Sequence, residues 1–157
     1  MTIGVSGHQR LPTGARDYAE RKILALLAHQ LARVIGLSSL AEGADQLFAG
    51  ALLRSGGTLH AVIPAQGYED TFEEAARQTY RRLLAAADIV TTLGYDEPCE
   101  QAYDTAGRFI VEHCDLLIAV WDGRPARGLG GTADAVAHAR RLGRDVTIAW
   151  PEGVPRA

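Results

Sequence analysis

The feature that most constrains this chain is a repeated order of short apolar run, polar or glycine-bearing turn, and stretch with helically spaced apolar residues. The runs fall at 2–5, 34–37, 59–63, 88–93, 116–121 and 146–150. The helical patterns fall at 14–33, after Asp45 to about Arg54, at 68–87, 100–113 and 132–141. A continuous apolar run closed by turn residues reads as a strand buried on both faces, the kind a parallel sheet uses. Strands separated by helical crossovers place helices on both faces of that sheet. The expected class is therefore α/β, a doubly wound, mainly parallel, Rossmann-like sheet in a single domain over 1–157, with a loose tail after about residue 151.

The most pronounced unit is Leu116-Leu117-Ile118-Ala119-Val120-Trp121, followed by Asp122-Gly123 and then by Gly128-Leu129-Gly130-Gly131-Thr132-Ala133-Asp134. A helix beginning after a glycine turn offers unpaired N–H groups and the positive end of its dipole, which suits an anion or a nucleotide. The same residues also suit a plain tight turn with Thr132 as N-cap.

Composition removes several classes of function. The net charge of −3 offers no general attraction for a phosphate backbone, so nucleic acid is not expected as a partner without a local basic patch. Cys99 and Cys114 lack the CxxC spacing of a zinc or redox site, so no metal site is expected and a reducing cytoplasm is the simplest setting. No basic segment precedes a long apolar one at the N-terminus. No run approaches the roughly 18 apolar residues of a membrane span, and no membrane partner is expected.

In doubly wound sheets, ligands bind beyond the carboxyl ends of the strands, where the post-strand loops converge. The first loop offers Gly7, His8 and Arg10, and the second Glu42, Gly43, Ala44 and Asp45. The third offers Tyr68, and the fifth Asp122, Gly123, Arg127, Gly130, Gly131 and Thr132. Arginine forks suit phosphate and carboxylates suit ribose hydroxyls, so the mixture favours a nucleotide-like small molecule. Tyr68 suits stacking on a base or simple packing, and His8 suits a ligand contact or a turn. Asp134 would repel a phosphate on its own helix end and fits a sugar or a base edge better, or serves only the dipole. No cofactor is expected, because GxGxxG is absent after the first strand and GxxxxGK[ST] is absent altogether. Ala102, Ala106, Phe109 and Ile110 form a stripe that suits either a homodimer interface or a buried face.

Two of these loops carry a resemblance. The segment 38–45 resembles the S-G-G-A-R-G-x-D element of the SLOG superfamily as found in DNA-processing A proteins, with Ser38, Ala41, Gly43 and Asp45 in place. Ser39, Leu40 and Glu42 depart from it, and Glu42 replaces an arginine that would contact phosphate. Gly130, Gly131 and Thr132 resemble the P-G-G-x-G-T-x-x-E element of the LOG proteins, whose glutamate falls here on Ala135. Asp134 lies one residue earlier, about 100° around the helix. The segment 115–146 is also similar to nucleoside deoxyribosyltransferases. The resemblance implies a Rossmann-like nucleotide-binding domain acting as a sensor or carrier module. The alternative is an N-glycosyl hydrolase or transferase acting on a nucleoside monophosphate, with Asp134 or Glu42 stabilising charge on the ribose.

Overall fold

The computed structural model describes residues 1–157 apart from Ala126, Arg127 and Gly130. Six strands form one sheet: β1 (Thr2–Gly7), β2 (Ile35–Ser38), β3 (Thr58–Ala65), β4 (Ile89–Tyr95), β5 (Leu116–Val120) and β6 (Asp145–Ile148). Their order is β4-β3-β2-β1-β5-β6, and every pairing is parallel. The chain winds outward from β1 to β4 and then returns to β5 on the other side. The order therefore reverses between β1 and β5, and the two connections leaving that point diverge to open a crevice.

Among the described residues, five α-helices cover the sheet: α1 (Thr13–Ala28), α2 (Ala44–Arg54), α3 (Glu74–Ala85), α4 (Glu100–Glu112) and α5 (Thr132–Arg141). Strand alternation assigns the faces. Ile3, Val5, Ile118 and Val120 point into a core with Ile23 of α1, Phe48 of α2 and Leu83 of α3. Leu117 and Ala119 point the other way, onto Ala106 and Ile110 of α4 and Val136 of α5. The small apolar stripe on α4 is its packed face, with Ala102, Ala106 and Ile110 buried within the chain. Phe109, the fourth residue of that stripe, is partly buried against the same cluster.

Element boundaries differ from the sequence expectation where local chemistry intervenes. The pattern over 68–87 splits into a 3₁₀ turn (Tyr68–Thr71) and α3, because Phe72 adopts an extended backbone at φ −94° and ψ 145°. β3 runs through Pro64 to Ala65, two residues past the apolar run at 59–63. The register to β4 shifts between Ile63 and Ala65, which accommodates the missing N–H. α1 ends at Ala28 rather than near Arg33, leaving Leu31 with nothing to pack against. Among the described residues, no helix is long and apolar enough to cross a membrane.

Candidate functional site

A cleft of about 830 Å³ opens at the carboxyl end of the sheet. That lies within the roughly 300–1,000 Å³ usual for small-molecule sites. Four post-strand loops contribute: His8 and Arg10 after β1, Asp45 and Glu42 after β2, Tyr68 after β3, and Trp121 and Gly131 after β5.

The β1 loop and the start of α2 are locked together. The Ala44 N–H donates to the His8 carbonyl at 3.1 Å, and the His8 N–H donates to the Val120 carbonyl at 3.1 Å. Gly43 sits at φ 87°, and a Cβ there would meet the Gln9 carbonyl oxygen at 2.2 Å. Gly43 is thus required for two stretches of backbone to touch, and neither it nor Ala44 lines the cleft. Gly7 has a related role, since a Cβ there would lie 2.4 Å from the Cβ of Ala44. Leu40, fully buried at φ 59°, takes a left-handed conformation where the resembling motif has glycine. Its N–H donates to the Ser38 hydroxyl at 3.0 Å, which holds the turn.

Asp45 is a different kind of residue. Its side chain turns back onto the same loop and accepts the Ala41 N–H at 3.3 Å. Burial pushes its carboxyl up to about 7, outweighing the backbone donors at Ala41 and Ser39 that act the other way. It lines the cleft as an acid that holds its proton near neutrality. Beside it, an aromatic wall forms from Tyr68, Phe72 and Tyr103, with ring centroids 4.9 Å apart for Tyr68–Phe72 and 6.2 Å for Tyr68–Tyr103. Burial, reinforced by the charge of Asp45, pushes the Tyr68 hydroxyl well up, so it remains a neutral donor.

The N-terminus of α5 faces the same cleft through Gly131, Thr132 and Ala133. Asp134 and Ala135 donate their N–H groups to the Gly131 carbonyl at 3.1 and 3.2 Å. No acceptor among the described residues takes the N–H groups of Thr132 and Ala133. The Thr132 hydroxyl accepts from Ser6 at 3.2 Å, pinning the helix start to the end of β1. Asp134 itself lies outside the cleft, lining a smaller hollow with Asp104, Arg108 and His138.

Asp122 is also withdrawn. Its side chain is 2% exposed and does not line the cleft; it takes a bidentate pair from Arg156, with Nε at 2.7 Å and Nη2 at 2.6 Å. That guanidinium holds the Asp122 carboxyl far below the usual range. His8 Nε2 lies 3.4 Å from the same carboxylate. Gly123 has φ 85° and also lies off the cleft, while the expectations for Arg127 and Gly130 lie outside the described residues. Sequence reasoning missed Phe72, Tyr103, Trp121 and Arg156. Phe72 and Trp121 adjoin predicted loops and were within reach; Tyr103 and Arg156 stand on elements that no loop motif marks. Among the described residues, no group of three His, Cys, Asp or Glu side chains stands together to hold a metal ion.

Comparison with solved structures places this geometry. DNA processing protein A from Streptococcus pneumoniae superposes with a TM-score of 0.72 at 23% identity, over 94% of this chain and 49% of that one. The Helicobacter pylori protein of the same name superposes at 0.71 and 12% identity, over 100% of this chain and 68% of that one. The molybdenum cofactor carrier protein from Chlamydomonas reinhardtii gives 0.60 and 19%, over 94% of this chain and 74% of that one. The chain has a SLOG-type fold. It spans about half the length of the Streptococcus pneumoniae protein. No protein-family model matches it, and no curated protein matches it in sequence.

The SLOG-type fold corrects one expectation. Nucleic acid was set aside on the net charge of −3 and on Glu42. Yet the Helicobacter pylori protein is described by its single-stranded DNA binding mode on this same fold. Backbone binding depends on local placement of donors, and neither the sum of charges nor one glutamate decides it.

Proposed function

We propose that the cleft binds a nucleotide or nucleotide-derived small molecule and that the domain serves as a binding or carrier module. The observation that carries this reading is the joining, in one cleft, of an aromatic wall and an open helix start. Phe72 and Tyr103, backed by the buried ring of Tyr68, offer faces for a heterocycle, and Thr132 and Ala133 offer N–H groups for an anionic substituent. A solved structure of the same fold is that of a molybdenum cofactor carrier, which is consistent with ligand carriage.

The test is calorimetry of the wild-type chain against nucleoside monophosphates and diphosphates, with a short single-stranded oligonucleotide as a further arm. Binding of a mononucleotide, lost in Gly131→Val, is the expected result. Binding of the oligonucleotide alone would replace this reading with a nucleic-acid one, and binding of nothing would end it. Turnover has weaker support, because Asp134 opens onto the separate hollow and the carboxyl groups left at the cleft are Glu42, Asp45 and Glu73. Steady release of free base from a monophosphate would restore the glycosidase alternative.

A further inference from the structure

The residues after Pro151 contain no helix or strand, but they are tied to the site. The Trp150 indole N–H donates to the Val154 carbonyl at 2.6 Å, and Arg156 then reaches Asp122 just past the end of β5. Arg156 lines the cleft, although it lies 34 residues from its carboxylate partner.

The donor count of this guanidinium is informative. Arginine has five N–H groups in a fixed plane. Nε gives one to Asp122, and Nη2 gives one to Asp122 and one to the Arg124 carbonyl at 3.0 Å. The two on Nη1 have no acceptor among the described residues. The side chain is only 12% exposed, so its orientation is set by the buried carboxylate behind it. A long flexible cation ordinarily loses rotamer freedom when it grips a ligand. Here Asp122 has already imposed that order.

We propose that Arg156 is an anion-holding residue of this cleft, positioned by Asp122 so that its free Nη1 edge takes a phosphate or carboxylate of the ligand. The proposal rests on the reading of the cleft as a small-molecule site and adds to it the group that distinguishes charged from uncharged ligands. Because Asp122 already balances the positive charge, the contribution is directional hydrogen bonding more than net attraction. Arg156 therefore favours a ligand with an anionic oxygen at one place, rather than polyanions in general.

The experiment compares wild type, Arg156→Gln and Arg156→Lys in calorimetric titrations with four nucleoside 5′-monophosphates, their parent nucleosides, and inorganic pyrophosphate. Trp121 at the cleft provides an independent fluorescence readout. Arg156→Gln is expected to weaken monophosphate binding about tenfold or more while changing nucleoside binding less than about twofold. Arg156→Lys, which keeps the charge but cannot pair through a planar fork, is expected to fall between them. If Arg156→Gln does not fold, Arg156→Lys is read by the same criterion, a loss confined to the phosphorylated ligands. Equal losses for nucleotide and nucleoside, or no loss, would overturn the proposal while leaving the nucleotide reading in place. Arg156-dependent binding of pyrophosphate with no nucleotide bound would keep the anion seat and end the nucleotide reading. Absence of all binding by wild type would remove both.

Discussion

Two helices begin at the carboxyl end of this sheet after glycine-bearing turns, and the difference between them shows what sequence can and cannot disclose. At α2 the chain fills the helix start itself: the His8 carbonyl takes the Ala44 N–H, and Gly43 exists to let that backbone approach. At α5 the start is turned to the cleft, and Gly131 sits at φ −77° and ψ 174°, a conformation open to any residue. Both turns resemble nucleotide-binding elements on paper. One is a structural joint and the other is an opening.

The largest test of that contrast is Gly43→Ala. A Cβ at 2.2 Å from a carbonyl oxygen, on a backbone at φ 87°, is expected to cost about 4 kcal/mol or more, or to prevent folding, as read by urea unfolding. A cost below about 1 kcal/mol would mean the joint is loose and that α2 is as open as α5.

Next in size is the pH dependence from Asp45. Its proton is held to about 7 in the folded chain against 3.8 when unfolded, so folding favours the protonated form. The stability it contributes is complete below about pH 4, declines as pH rises, and is lost above about pH 7. Asp45→Asn is expected to gain on the order of 2–4 kcal/mol over wild type at pH 8, with the advantage vanishing near pH 4. Equal pH profiles for the two proteins would show that Asp45 is solvated and that the α2 turn admits water.

The smallest effect on stability belongs to Gly131→Ala. With an ordinary φ, it is expected to change unfolding by less than about 0.5 kcal/mol. Its effect should appear instead in nucleotide affinity, a drop of about tenfold because the methyl group crowds the backbone face at the cleft. A stability loss comparable to that of Gly43→Ala would collapse the distinction between the two helix starts.

The sheet was legible because its evidence is periodic. Alternation in Ile3–Val5 and Leu117–Val120, and helical spacing in 132–141, depend only on neighbours in the chain. The cleft was legible in part, for the same reason that post-strand loops converge. What could not be read is which polar groups the chain consumes itself. Asp122 and Gly43 have the residue types of a ligand site, but in each case a group from 34 residues away, an arginine for Asp122 and the Gln9 carbonyl for Gly43, has claimed the space. Likewise, Tyr103 comes from the first turn of α4, and Arg156 from a stretch without periodicity. Such residues become visible only when distant segments are brought together.

The bond from Ala44 to the His8 carbonyl also has a consequence for motion. With Gly43 pressed against Gln9 and Gly7 against Ala44, the β1 loop and the start of α2 move as one body. Whatever yields when a ligand enters is not this wall. The amide hydrogen of Ala44 should therefore exchange with solvent only through global unfolding, giving an internal clock in each sample. Against that clock, slowing at the amides of Thr132 and Ala133 on addition of a ligand registers occupancy of the open helix start.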